Sequence, residues 1–254
     1  MGNHQTMNSE LISKTLTWHC EKCGKHESMT VELPDIIAGC KIPPPRLCNQ
    51  CNRAEITERN RQSRLDQMET LADQSGIPLS FRHFDQNRGN DHLRKRCIDN
   101  IGGSMWICGP RGIGKTVGVC QAAMAEIESG TALIKFVRLA DIATSLTDKE
   151  RGIYVLRGLL AARVLILDDF AVAHVSAALG LRIFSLIDTV YNSQNQRRIW
   201  ITCDLPADAI AARFEDASCA ARIIGRFKRM VSDGRMAVIS ANNGAGRVGT
   251  HEKR

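Results

Sequence analysis

The sequence predicts a doubly wound α/β domain built on a parallel sheet, preceded by a small cysteine-bound module. Three observations predict it. Gly109-Pro110-Arg111-Gly112-Ile113-Gly114-Lys115-Thr116 fills every fixed position of a phosphate-binding P-loop, between a short apolar run and a longer helical one. Arg163-Val164-Leu165-Ile166-Leu167-Asp168-Asp169 reads as a buried parallel strand that delivers two carboxylates to its C-terminal end. Two Cys-x2-Cys pairs lie ahead of both.

The cysteine pairs come first in the chain. Trp18-His19-Cys20-Glu21-Lys22-Cys23-Gly24-Lys25 and Leu47-Cys48-Asn49-Gln50-Cys51-Asn52 each place two thiolates at a tight turn. Together Cys20, Cys23, Cys48 and Cys51 supply the four corners of a structural zinc tetrahedron. A hairpin such as Met29–Leu33 can fill the stretch between the pairs, and Gly24 and Asn52 can supply the left-handed backbone such turns need. Cys40, His19 and His26 are potential substitute ligands without the knuckle spacing. A closed four-sulfur site has no open coordination position, which excludes zinc catalysis. Its task is to fold a module, residues 1–55, too small to support its own core. Residues 52–75 are polar, with Ile56, Leu65, Met68, Leu71 and Ala72 at near-helical spacing. They predict a connecting helix across a linker at 56–76, ending near Ser75-Gly76-Ile77-Pro78.

The third segment, 77–240, carries the nucleotide motifs. Met105–Cys108 reads as a short buried strand, and Thr116–Ser129 as a helix closed by Gly130. The loop therefore sits between strand and helix, which places phosphate at a helix N-terminus. Its glycines let backbone N–H groups cradle the phosphates of ATP, with Val117 completing the binding set. Lys115 would reach the β- and γ-phosphates, and the Thr116 hydroxyl would hold Mg²⁺. Ala132–Val137 is a second strand. Asp168 would position Mg²⁺, generally through water. Asp169 stands where a longer glutamate usually activates the attacking water. Leu179–Gln194 has a helical apolar pattern, and Arg198–Thr202 is another buried strand, followed by Cys203-Asp204-Leu205-Pro206. A polar residue at that strand end can sense the γ-phosphate. Met236–Ile239 gives a last strand, and residues 241–254, rich in Gly and Asn, are expected to be disordered.

Composition sets limits. A hydrophobic content of 43% suits a globular core. No apolar run approaches the roughly 20 residues that span a bilayer, and no secretory signal opens the chain. Gly2 and Thr6 match an acylation signal only superficially. The expectation is a cytoplasmic protein with no membrane partner. Disulfides are then disfavoured among the ten cysteines, and Cys97, Cys108, Cys120, Cys203 and Cys219 read as small buried hydrophobes. The net charge of +7 is uneven: residues 1–100 carry 14 basic and 13 acidic side chains, residues 101–254 carry 20 and 14. A local cluster at Arg222, Arg226, Lys228 and Arg229 adds to an excess that favours a polyanionic partner.

Phe81-Arg82-His83-Phe84-Asp85, the P-loop, Leu167-Asp168-Asp169-Phe170, Ile201-Thr202-Cys203-Asp204-Leu205-Pro206 and Arg222-Ile223-Ile224-Gly225-Arg226-Phe227 follow in that order. In that order the chain resembles the DnaC/IstB-type AAA+ ATPases, and among them the DnaC-type helicase loaders. The resemblance implies a P-loop AAA+ doubly wound sheet without a C-terminal lid, behind a small zinc-ribbon domain. It places Thr202 and Asp204 at the sensor-1 segment, where asparagine is usual at the position of Asp204. It makes Arg222 and Arg226 candidates for an arginine finger acting on a neighbouring subunit's nucleotide, with Arg226 favoured. It implies Mg²⁺-dependent ATP hydrolysis, a homo-oligomer in the ATP state, single-stranded DNA, and a replicative ring helicase as partner. The four-cysteine module departs from the helical helicase-binding region of the best-known loaders and points to a phage or mobile-element variant. Two alternatives stay open: a transposition helper ATPase that binds duplex DNA, and a zinc-ribbon DNA-binding regulator that uses ATP as a ligand.

Overall fold

A computed structural model of the chain describes residues 11–34, 41–79, 91–130, 133–170 and 174–241. The segment Phe81–Asp85, Cys40, the chain start with Gly2 and Thr6, and the tail beyond Ala241 lie outside them. The chain divides into two compact units, Met1–Ser63 and Arg64–Arg254.

In the smaller unit, strand β1 (Leu11–His19) pairs antiparallel with β2 (His26–Pro34), from Leu11↔Pro34 to His19↔His26. Alternation along β1 puts Lys14, Leu16 and Trp18 on the more covered face, opposite Val31, Met29 and Glu27, with Leu33 opposite Ile12. The first cysteine pair is itself the hairpin turn. Cys20 N donates to Lys25 O at 2.9 Å, Gly24 N donates to Cys20 O at 2.8 Å, and Gly24 has φ 73°. The hairpin therefore straddles this pair instead of filling the stretch between the two pairs. Val31 and Leu33 need a partner of matching alternation, and residues 11–19 supply it. Helix α1 (Asn49–Ser75) begins within the second pair, where Asn52 N donates to Cys48 O at 2.9 Å. That is an ordinary helical bond, so Asn52 is right-handed and the turn needs no left-handed residue there. The boundary between the two units falls inside this helix.

The larger unit is a five-stranded parallel sheet with helices on both faces. Its strands are β3 (Ser104–Cys108), β4 (Ile134–Arg138), β5 (Val164–Asp168), β6 (Arg198–Cys203) and β7 (Met236–Ser240), in spatial order β4-β5-β6-β3-β7. Strict alternation sorts the side chains. Trp106, Leu165, Leu167, Ile199 and Ile201 point to one face, where α4 (Leu139–Thr147), α5 (Gly152–Leu160), α6 (Ala177–Asn192) and α7 (Ala217–Ser232) cover them. Met105, Ile107, Val164, Ile166 and Trp200 point to the other, against α2 (Asp91–Asp99), α3 (Lys115–Ser129) and Met68 and Leu71 of α1. Burial on both faces is why these strands read as continuous apolar runs.

From β3 the chain crosses to the far edge at β4 and returns through β5 and β6; from β6 it then passes beyond β3 to β7. The order reverses around β3 and β6, and the crevice beyond the C-terminal ends of these strands is where α/β sheets bind ligands. The five scattered cysteines, Cys97, Cys108, Cys120, Cys203 and Cys219, are all buried. Some boundaries differ from the sequence pattern. α6 starts at Ala177 because the Ser176 hydroxyl caps Leu179 N, and it ends before Gln194 and Asn195, which turn with φ 48° and 70°. α2, α4 and α5 are too short to have announced themselves by periodicity.

Candidate functional site

The P-loop leaves β3 at Gly109. With φ 150° there, a Cβ would lie 2.2 Å from the Ala241 carbonyl oxygen, so only glycine lets the loop pass the end of β7. Gly112 and Gly114 adopt φ 76° and 92°, and a Cβ at either would meet nothing within 4 Å. The loop thus presents bare backbone to an open concavity at the N-terminus of α3, the chemistry that phosphate needs. A cavity of about 510 Å³ lies there, lined by Arg111, Gly112, Gly114, Lys115, Thr116, Val117, Asp169 and Asp204. Of the remaining loop residues, Ile113 packs against the core, while Gly109 and Pro110 turn their carbonyls to Lys115.

Lys115 is only 6% exposed, and its ammonium is fully engaged. Nζ donates to Gly109 O at 2.8 Å, to Pro110 O at 3.0 Å and to Asp204 Oδ1 at 2.9 Å. The second oxygen of Asp204 accepts from Arg111 Nε at 2.9 Å. Burial works to raise the Asp204 carboxyl, but the hydrogen bonds from Lys115 and Arg111 outweigh it and hold the group below the usual carboxylate range.

Asp168 ends β5 almost completely buried. Its Oδ1 accepts from Thr116 Oγ1 at 2.9 Å and from Thr202 Oγ1 at 2.6 Å. Burial dominates and raises its pKa, against the opposing hydrogen bonds from Thr202 and Thr116 and the nearby Arg138 guanidinium. Hydroxyl and carboxylate oxygens side by side form the hard donor set that suits Mg²⁺. Asp169 follows in the left-handed region, φ 53°, which aspartate tolerates better than most residues. Its backbone N–H donates to Thr202 Oγ1 at 3.0 Å, and the residue lines the cavity.

Thr202 is placed differently from its sequence expectation as a residue facing nucleotide. It is wholly buried beneath the acids, and its hydroxyl donates to Asp168 while accepting from Asp169 N–H. It positions both aspartates. Arg138, which the sequence pattern did not single out, stands 3.8 Å from Asp168 Oδ2 and donates to Ser75 O at 2.8 Å. The only signal was a basic residue ending an apolar strand. Its meaning depends on the pairing Arg138↔Asp168 between β4 and β5.

Arg222 and Arg226 both lie on the face of α7 that meets α6. The Arg222 guanidinium sits over the Phe184 ring at 4.5 Å and that of Arg226 over Tyr191 at 4.9 Å. Arg226 Nε also donates to Asp188 Oδ1 at 2.6 Å, whereas Arg222 is exposed.

In the smaller unit the four expected cysteines converge, with their sulfurs all within 4.8 Å of one another. Cys23 Sγ and Cys48 Sγ are 3.7 Å apart. A zinc tetrahedron with bonds of about 2.3 Å has sulfur–sulfur edges of about 3.8 Å, so the set fits that ion. A backbone hydrogen bond from Cys48 contributes most to lowering Cys20 to about 6, and side-chain hydrogen bonding with Cys48 contributes most to pushing Cys51 up to about 12.

The family described as IstB-like ATP binding protein matches residues 54–245, most of the chain. No curated protein sequence matches significantly. Among solved structures, DnaI is similar at a TM-score of 0.52 and 16% identity, with 65% of this chain and 95% of DnaI covered. The DnaC helicase loader gives 0.47 and 16%, covering 62% and 95%. DnaA from Aquifex aeolicus bound to AMPPCP gives 0.46 and 18%, covering 59% of this chain and 44% of that one. The chain thus spans under half the length of DnaA, and the same holds for a DNA replication initiation factor that it resembles at 19% identity. The likeness to DnaI shows a shared fold.

Asp168→Asn provides a test of the buried acid. Asparagine keeps an acceptor for the threonine hydroxyls and removes a charge that burial penalises. Because the folded-state pKa lies above the unfolded one, wild-type stability falls as pH rises through that interval, and the variant lacks this slope. Thermal melting is expected to show an unchanged or raised Tm at neutral pH, with Mg²⁺-dependent ATP binding weakened at least about tenfold. A variant that melts several degrees lower yet binds Mg²⁺-ATP normally contradicts this account.

Proposed function

We propose, from the premise that this chain belongs to the family of IstB-like ATP binding proteins, that it is an ATP-driven loader of a ring-shaped replicative helicase onto single-stranded DNA. It is an ATPase of the DnaC/IstB type, related in fold to DnaI. The observation that carries the ATP reading is the pairing of Thr116 with Asp168 beside Lys115, at the point where the strand order reverses. In this reading the bare backbone of Gly112 and Gly114 binds phosphate, and Lys115 neutralises the β- and γ-phosphates. Thr116 and Asp168 hold Mg²⁺, which when bound supplies charge neutralisation of the phosphate chain. Asp169, exposed at the cavity wall, orients the attacking water. The ordered motifs support loading, as does the basic excess of the ATPase half. No helix among the described residues is long and apolar enough to cross a membrane. Capture from the native host in the presence of ATP, read by mass spectrometry, is expected to recover a ring helicase. Recovery of a recombinase, together with preference for duplex DNA, would instead identify a transposition helper.

The four thiols hold one structural zinc ion in the same reading, folding the small module by which the loader grips its helicase. Metal analysis should find close to one equivalent of zinc, lost on Cys48→Ser. A folded protein with no zinc in which that variant changes nothing removes the assignment.

Arg226, with Arg222 beside it, completes the nucleotide site of an adjacent subunit in the ATP-bound oligomer. To do so Arg226 must leave Asp188, so assembly exchanges an internal ion pair for an intersubunit one. Arg226→Ala is expected to keep ATP binding and lose ATP-dependent self-association, and mixing it with Lys115→Ala should partly restore turnover. Normal assembly of a folded Arg226→Ala protein, with no gain in the mixture, would sink the finger assignment.

A further inference from the structure

The end of β6 puts an acid into the mouth of a site meant for a triphosphate. An ammonium has three N–H donors, and those of Lys115 are spent on Gly109 O, Pro110 O and Asp204 Oδ1. The two carbonyls belong to the loop backbone and are fixed with it. Asp204 is a side chain, 28% exposed, and it lines the cavity. A phosphate oxygen can therefore reach Lys115 only by taking the place of the Asp204 carboxylate. The same carboxylate also engages Arg111, whose side chain is 76% exposed and can follow it outward.

Displacement does not remove the charge. Asp204 is anchored at the strand end, so it stays in the same cavity as the incoming phosphates, a cavity that Asp169 also lines. Repulsion between like charges a few ångströms apart in a partly buried site is large on the thermal scale. It falls hardest on the terminal phosphate, which carries the most charge and shares Lys115 with the β-phosphate. We propose that Asp204 is a selectivity residue, an internal competitor for Lys115 that weakens triphosphate binding more than diphosphate binding. This rests on the reading of the P-loop as the ATP site. A chain with this residue favours the diphosphate over the triphosphate and takes up ATP only where concentration, Mg²⁺ or a partner's cation offsets the acid.

The test is nucleotide binding to the full-length protein by calorimetry, with ATP and ADP in the presence of Mg²⁺. Asp204→Asn keeps an acceptor for Lys115 while removing the charge. It is expected to tighten ATP binding by about tenfold or more and ADP binding by less than about threefold. Asp204→Ser, smaller and also neutral, should reproduce the difference if the first variant folds poorly. Unchanged or weakened ATP binding overturns the proposal, and so does equal tightening of both nucleotides. Lys115→Ala separates the two levels of inference. If it binds both nucleotides like the wild type, the ATP-site reading itself fails. If it binds neither while Asp204→Asn matches the wild type, only the role of Asp204 falls.

Discussion

A carboxylate held 1% exposed at the end of a central strand is the constraint around which the larger unit is arranged. Burying Asp168 costs more than a neutral side chain would, and the cost is tolerable only because two threonine hydroxyls donate to it. Those hydroxyls come from different elements: Thr116 from the first turn of α3, Thr202 from β6. Three segments far apart in sequence must therefore be in register before the acid is satisfied. The parallel pairing of β5 with β6, from Val164↔Arg198 to Leu167↔Ile201, is what brings Thr202 alongside. The P-loop turn delivers Thr116.

The same layer of the sheet holds the opposing charges. Lys115 is as deeply buried as its stem allows, and Asp204 at the next strand end takes the third of its hydrogen bonds. Arg138 at the end of β4 approaches Asp168 from the other side. Along the strand ends, β4 to β5 to β6 to the loop after β3, two cations thus flank two carboxylates. The arrangement pairs these charges within the protein. Asp204 and Asp169 are the members that line the cavity.

The two remaining constellations differ in how they are held. The four cysteines sit on tight local structure, a hairpin turn and a helix start, so the geometry within each pair is set locally. Arg222 and Arg226 instead serve the packing of α7 on α6, through Phe184, Tyr191 and Asp188. An arginine engaged in this way contributes to its own subunit's packing, and a role toward a neighbour has to draw it away from that contact.

The sequence by itself determined the elements whose chemistry is local. Glycine spacing specified the P-loop, because Gly109 passes too close to the Ala241 backbone for a Cβ, and Gly112 and Gly114 take left-handed φ values that favour glycine. Continuous apolar runs specified β3, β5 and β6, because strands buried on both faces have no polar side to show. Cysteine spacing specified the four-thiol cluster. Tertiary structure alone decided what depends on strand order: that Thr202 lies beneath the acids and not toward the cavity, that Arg138 is their neighbour, and that Asp204 grips Lys115. None of these contacts has a sequence period. Each joins residues tens of positions apart, and a single exchange of neighbouring strands would have paired them otherwise. The hairpin that wraps the first cysteine pair was hidden for a related reason, since alternation marks a strand but does not say which other strand will cover its edge.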